Sequence, residues 1–168
     1  MLSKEDIDLK KKIIIILSVV FVAVVAVGYL INRISSINYV NPVMASLPKC
    51  DSSECYYSDG FQDYTDYCKY YYEKQDNILD DVKNNQYFKN VRPADIIEIN
   101  SYFDNFESWL EYVDYSNKYD FQRGIIDTED YFYIENDFKS DEEHKYWDYD
   151  VYFFDVQTKT LYFIHNNI

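Results

Sequence analysis

The feature that most constrains this chain of 168 residues is a run of twenty consecutive uncharged residues between Lys12 and Arg33. Most of them are Ile, Val, Leu, Phe or Ala. A helix of about 20 apolar residues is long enough to cross the hydrocarbon core of a bilayer. The sequence therefore predicts a transmembrane helix at residues 13–32.

The length of this run favours an anchor that is retained over a signal peptide that is removed. The apolar region of a signal peptide is shorter, about 7–15 residues. The small-residue cleavage candidate, Val43-Met44-Ala45, lies well past the end of the run, where a peptidase at the membrane surface is poorly placed. We therefore expect the segment to stay in the protein as a signal-anchor.

The charges on either side of the run predict its orientation. Four lysines precede it within the first twelve residues, whereas only Arg33 and Lys49 follow it closely. Positive charge is retained on the cytoplasmic side. We therefore expect residues 1–12 in the cytoplasm, and the rest of the chain outside the cell membrane as a single-pass type II protein.

The part of the chain after the run is strongly acidic. The first 32 residues hold four of the 16 basic residues and three of the 30 acidic ones, so residues 33–168 carry 12 basic residues against 27 acidic ones. Nucleic acid is excluded as a partner, because binding phosphates requires clustered Lys and Arg. The same charge attracts cations or basic polypeptides.

The external part divides into a linker and one domain. Residues 33–48 contain Ser, Asn and Pro without helical or strand periodicity, so they predict a linker. Residues 49–168 have the length of one domain, and their many aromatic residues can supply its core.

Three cysteines, Cys50, Cys55 and Cys68, lie early in this domain. An oxidising compartment permits a disulfide, but three thiols cannot all pair within one chain. We favour Cys55–Cys68, which would join the first predicted helix to the segment before it, with Cys50 as the alternative partner. A bridge between chains and three reduced thiols stay open.

Apolar spacing predicts two helices in the first half of the domain. From Phe61 to Asn84, apolar residues recur at steps of three and four, as on one face of a helix. Residues 93–113 show the same spacing, with Pro93 suited to a first turn. The alternative makes residues 95–100 a short strand and confines the second helix to residues 101–113.

The second half of the domain has the composition of strands. Residues 130–136, DYFYIEN, predict one strand. Residues 146–156 and 160–167 predict two more, joined in a hairpin by a polar turn. The fold class is therefore α+β, with N-terminal helices packed on a C-terminal antiparallel sheet or hairpin.

No stretch of the sequence forms a motif with a defined chemistry. His144 and His165 are the two imidazoles, and no nucleophile elbow accompanies either of them. The cysteine spacing lacks the pairs of a zinc site, and the carboxylates are too numerous to single out a catalytic pair. We therefore assign no catalytic residue, metal ligand or cofactor.

Aromatic side chains are the candidate binding residues. Rings present flat apolar faces to a ligand, although at helical spacing they also suit a core. The candidates are Tyr64, Tyr67, Tyr71, Tyr72, Trp109 and Trp147.

Together, the predicted anchor, the acidic aromatic domain and the missing catalytic motif favour a non-catalytic binding or accessory protein. Such a protein binds another protein or a component of the cell envelope, and an immunity-like protein that intercepts a basic polypeptide is one version. The alternative is an envelope hydrolase that uses carboxylates.

The predicted topology is testable with an impermeant thiol reagent on intact cells. We expect labelling of Cys50, Cys55 and Cys68 after reduction, because all three lie on the external side of the predicted span. A variant with serine at all three positions is the control. Failure to label the reduced protein would contradict the external location.

Overall fold

The structure, a computed structural model, describes residues 41–58 and 64–167. The chain divides into two compact units, Met1–Met44 and Ala45–Ile168. The helices are α1 (Pro42–Ala45), α2 (Ile78–Lys83) and α3 (Pro93–Trp109). The strands are β1 (Ser52–Tyr56), β2 (Tyr64–Tyr71), β3 (Lys89–Asn90), β4 (Tyr131–Glu135), β5 (Asp148–Asp155) and β6 (Thr160–Asn167). Short 3₁₀ turns follow α3 at Leu110–Tyr112, Ser116–Lys118 and Arg123–Ile125.

The strands of the larger unit form one antiparallel sheet of six strands in the order β1-β2-β6-β5-β4-β3. The predicted α+β class is therefore confirmed at this level. The order of the elements differs from the prediction, because β1 and β2 precede α2 and α3. The last strand, β6, lies inside the sheet between β2 and β5.

Helix α3 is the longest described helix and begins as predicted, with Pro93 in its first turn. The carboxylate of Asp95 accepts hydrogen bonds from the backbone N–H of Arg92 at 2.9 Å and from the Arg92 guanidinium at 2.7 Å and 2.8 Å. These contacts hold the pKa of Asp95 below its usual range. The helix ends at Trp109, and the alternative strand at residues 95–100 is wrong.

One face of the sheet, which we call the α3 face, contributes to the main core together with α3. The helix buries Ile99, Tyr102, Phe103 and Phe106 in the same cluster as residues of four strands. The strand residues of this cluster include Tyr67, Phe132, Tyr149, Val151, Phe153 and Ile164. Aromatic burial therefore provides most of this core.

The segment after α3 is fixed to the same face by a ring contact and an ion-pair cluster. The Phe121 ring stacks on Phe103 with centroids 4.1 Å apart. The ammonium of Lys69 contacts Asp120 at 2.7 Å and Glu54 at 2.9 Å. Because Lys69 is buried, these two carboxylates supply the pairing that a buried charge needs.

The opposite face of the sheet also carries aromatic side chains. Cys68, Phe163, Tyr152 and Tyr133 lie side by side across four strands. The Tyr152 ring lies 5.0 Å from Phe163 and 5.9 Å from Tyr133, measured between centroids. Both Cys68 and Tyr152 are buried, so the central strands are covered on both faces.

The predicted helix from Phe61 to Asn84 is wrong. Within the described part of that segment, Tyr64–Tyr71 forms β2, and only Ile78–Lys83 is helical. The error has a physical cause: β2 is buried on both faces, so neighbouring residues such as Tyr67 and Cys68 are both in the interior. The alternation typical of a half-exposed strand is therefore missing.

The strands predicted in the second half are confirmed as β4, β5 and β6. The β5–β6 hairpin closes where Asp155 pairs with Thr160. The Asp155 carboxylate accepts hydrogen bonds from the backbone N–H of Gln157 at 2.9 Å and from the Thr158 hydroxyl at 2.7 Å. Lys159 completes the turn with a φ of 51°, in the left-handed region that tight turns require.

The predicted span at residues 13–32 lies outside the described residues. Among residues 41–58 and 64–167, no helix combines the length and the apolar composition needed to cross a bilayer. Of the predicted linker, only residues 41–48 are described, and Pro42–Ala45 within them forms one short helix.

A disulfide joins Cys55 of β1 to Cys68 of β2, and the two residues lie directly opposite each other in the register. The expectation that this bridge would link a helix to the preceding segment is wrong, because it links two strands. It ties β1, a strand at the edge of the sheet, to its neighbour.

We expect reduction of this bridge to lower the free energy of unfolding by about 3 kcal/mol. The intact bridge restricts the conformational entropy of the unfolded chain, and this is the effect expected for a loop of this length. Denaturant unfolding of the protein with and without reductant measures the difference. A Cys50→Ser variant, which keeps the bridge, should show the same difference. Equal stability of the oxidised and reduced protein would contradict a stabilising role.

Candidate functional site

Four titratable side chains lie side by side on the face opposite α3. In the antiparallel register Asp66 of β2 pairs with His165 of β6, His165 with Asp150 of β5, and Asp150 with Glu135 of β4. Adjacent strands lie about 4.8 Å apart, so each side chain has its neighbours within electrostatic reach. We call these four residues the acidic row.

The imidazole of His165 occupies the second position of the acidic row. Its Nδ1 lies 2.6 Å from Oδ1 of Asp150, and both side chains are largely buried. The Tyr64 ring stacks on the imidazole with centroids 5.2 Å apart. Burial favours the neutral ring, but the hydrogen bond to Asp150 and the nearby negative charges outweigh it and raise the pKa of His165.

The carboxylates of this region are held together at an electrostatic cost. Burial raises the pKa of Asp66, and the charge of Asp150 adds to the rise. Burial also raises the pKa of Glu135 and of Asp148, and repulsion from Asp150 and Asp137 contributes to both. A positively charged group beside these carboxylates would relieve the repulsion.

Further hydrogen bonds fix the orientation of two carboxylates of the acidic row. Oδ1 of Asp66 accepts a hydrogen bond from the backbone N–H of Ser58 at 3.1 Å. Oδ2 of Asp150 accepts one from the Tyr152 hydroxyl at 2.9 Å. The row is therefore a preorganised set of hydrogen-bond acceptors around one imidazole, which suits recognition of a cationic group.

The described residues offer no grouped metal ligands. No three His, Cys, Asp or Glu side chains among them are arranged so that they could hold a metal ion. The chemistry that the acidic row does offer is hydrogen bonding by its carboxylates and proton transfer by its imidazole.

The aromatic residues proposed from the sequence do not form one surface. Tyr67 and Tyr72 are buried, whereas Tyr71 and Trp109 are partly buried. Tyr64 and Trp147 are exposed, at 36% and 47%. Tyr64 adjoins the acidic row through His165, and Trp147 immediately precedes β5.

Of the three cysteines, Cys50 is a free thiol and is half-buried. Cys55 and Cys68 form the cross-strand disulfide, on the same sheet face as the acidic row.

Two surface depressions lie elsewhere in the described part of the domain. One, of about 660 Å³, is lined by residues that include Asp80, Asp81 and Asn84. The other, of about 330 Å³, is lined by residues that include Asp51, Glu73 and Lys74. Neither contains a residue of the acidic row.

The sequence patterns single out none of the acidic-row carboxylates and assign no role to His165. The sequence does hold a partial signal for this contact, because Asp150 and His165 lie on the two strands of the predicted β5–β6 hairpin. Pairing these strands in the correct register would have placed them opposite each other. Asp66 could not be placed in the row, because its segment was predicted to be helical.

Comparisons of this chain with protein-family models, with curated protein sequences and with solved structures give no match.

The raised pKa of His165 predicts that the domain is less stable at pH 8 than at pH 6. A histidine whose pKa is raised by folding contributes stability below its unfolded value of about 6.5, and this is lost as the pH rises through the folded value. The carboxylates with raised pKa values, which include Asp66, Glu135 and Asp148, act in the same direction from about pH 4 upward.

Thermal unfolding of wild type and His165→Gln across this pH range tests the prediction. We expect a shallower pH dependence in the variant than in wild type. Asp130, whose pKa burial raises to about 6, contributes a slope of the same sign to both proteins. An unchanged slope in His165→Gln would contradict the assignment.

Proposed function

We propose that this chain is a single-pass membrane protein whose acidic α+β domain lies outside the cell membrane and binds a basic polypeptide, without catalysis of its own. The apolar run at residues 13–32 and the lysines before it support the anchor and its orientation. An accessory or immunity-like role at the membrane surface is consistent with such binding.

The Cys55–Cys68 disulfide supports the external location of the domain. Disulfides persist in oxidising compartments and are rare in the cytosol. The bridge therefore agrees with the orientation inferred from the lysines before the apolar run.

The observation that carries the binding role is the acidic row, placed on a domain with a large excess of acid. The row holds carboxylates whose pKa values are raised by burial and mutual repulsion. A Lys or Arg side chain of a partner would relieve this repulsion, so binding gains free energy that the free domain lacks. The surrounding negative charge would also speed the encounter with a basic partner.

A basic polypeptide fits this surface better than the other ligand classes that meet an external domain. Anionic lipid headgroups and nucleic acid are repelled by the 27 acidic residues that follow the apolar run. A flexible basic chain places several charges along the row at once, whereas a small cation occupies one position.

We expect a double variant, Asp66→Asn with Glu135→Gln, to bind an oligo-arginine peptide about tenfold more weakly than wild type, at up to ~1 kcal/mol per exposed ion pair. The purified full-length protein in detergent at low salt is titrated with the labelled peptide, and fluorescence anisotropy reports binding. Added salt should weaken binding by the wild type most.

The matched control is Asp80→Asn with Asp81→Asn, which makes the same charge change on α2, outside the acidic row. This control should bind like wild type. Equal weakening in both double variants would show that only net charge matters. A wild type that retains no partner in a low-salt pull-down from solubilised membranes, and binds no peptide, would contradict the proposal.

An envelope hydrolase is the second candidate, and the contact between His165 and Asp150 favours it. A carboxylate that fixes Nδ1 leaves Nε2 of the ring to act as a base. Release of products from isolated cell-wall material by wild type, and its loss in His165→Gln, would favour this candidate over binding alone.

A further inference from the structure

The loop between β4 and β5, residues 136–147, presents two exposed aromatic side chains. Phe138 is 39% exposed and Trp147 is 47% exposed. Their ring centroids lie 6.4 Å apart, with the ring planes tilted by 59°. Exposed aromatic groups of this kind mark interaction sites more often than isolated exposed side chains do.

The loop is held in place by its own hydrogen bonds. Nδ2 of Asn136 donates to the carbonyl of Lys145 at 2.6 Å and to the hydroxyl of Tyr102 at 2.9 Å. Oδ1 of Asn136 accepts from the backbone N–H of Phe138 at 2.7 Å. Asn136 therefore ties the two ends of the loop to each other and to α3, so little ordering is needed when a ligand binds.

A second set of contacts orders the middle of the loop and joins it to Trp147 at the loop's end. The Asp141 carboxylate accepts a hydrogen bond from the backbone N–H of Glu143 at 3.0 Å and contacts Nδ1 of His144 at 2.6 Å. The imidazole of His144 lies almost perpendicular to the Trp147 ring, with centroids 3.9 Å apart. The indole is thus supported on one side, while nearly half of the surface of Trp147 stays exposed.

Both lysines of the loop contact neighbouring side chains. The ammonium of Lys139 pairs with Glu98 of α3 at 2.7 Å. The ammonium of Lys145 lies 5.1 Å from the ring centroids of Tyr102 and Tyr146. The loop presents aromatic rings and an excess of acidic groups to solvent: its exposed acids are Asp137, Asp141, Glu142 and Glu143, and its exposed base is the paired Lys139.

The loop also adjoins the acidic row in the chain. It begins directly after Glu135, the fourth member of the row, and ends directly before Asp148. Asp137 of the loop contributes to the raised pKa values of both. The loop packs on α3, whereas the row lies on the opposite face of the sheet. A polypeptide that contacts both must therefore pass the end of the sheet where Glu135 leads into the loop.

We propose that Phe138 and Trp147 anchor an arginine side chain of the basic polypeptide, with its guanidinium stacked on the indole and paired with the loop carboxylates. This inference rests on the proposed function and adds the group that gives it specificity. Arg is the cation that most often stacks on aromatic rings, and Trp is the ring that binds it best. Tryptophan and arginine are also enriched among the residues that dominate binding energy.

Trp147 provides its own reporter, because the chain has two tryptophans. In a Trp109→Phe variant of the full-length protein, the indole emission comes from Trp147 alone. We expect saturating oligo-arginine peptide to change this emission in intensity or wavelength. Unchanged emission at saturation would overturn the proposal.

Substitutions at Trp147 separate ring stacking from apolar contact. We expect Trp147→Leu to weaken binding of the oligo-arginine peptide about tenfold, since it removes the π face. Trp147→Phe, which keeps an aromatic ring, should lose less. The control is Tyr112→Leu, at a residue 71% exposed on the turn after α3, and it should bind like wild type.

The outcomes distinguish this inference from the proposed function. If Trp147→Leu binds the peptide as tightly as wild type while the acidic-row variant is weakened, the anchor is wrong and the binding role stands. If wild type binds no peptide at low salt, both are wrong. Equal weakening by Leu and Phe at position 147 would overturn the stacking contact, and unfolding curves establish that each variant is folded.

Discussion

The register of β2, β6 and β5 is the constraint on which the rest of the domain depends. Because side chains alternate between the faces of a strand, one register places Tyr67, Ile164 and Val151 against α3 and the acidic row on the opposite face. A slip by one residue would exchange the two sets, burying carboxylates and exposing the core. The aromatic core therefore holds the three carboxylates of the row close together, although they repel one another.

Much of this fold follows from the sequence where a pattern is local. The spacing of Ile99, Phe103 and Phe106 and the position of Pro93 predicted α3, and the polar turn before Thr160 predicted the β5–β6 hairpin. β2 was mispredicted because burial on both faces removes alternation. The acidic row was not predictable, because strand order and register bring together residues up to 99 positions apart, as with Asp66 and His165.

Charge and stability oppose each other in this domain. The pKa values of Asp66, Asp148 and Glu135 are raised, which means that their ionised forms destabilise the fold at neutral pH. Residues that carry such a cost are typical of binding sites, because a ligand of opposite charge recovers it. The disulfide and the two-sided aromatic burial offset the cost elsewhere in the sheet.

The position of β6 inside the sheet has a consequence for how the protein is made. This strand leaves the ribosome after the other five, yet it supplies the pairing partner for both β2 and β5. Without it, β1–β2 and β5–β4–β3 are two separate groups of paired strands, and the inner edges of β2 and β5 are open to other chains. During biosynthesis, the growing polypeptide is therefore most exposed to aggregation just before β6 completes the sheet.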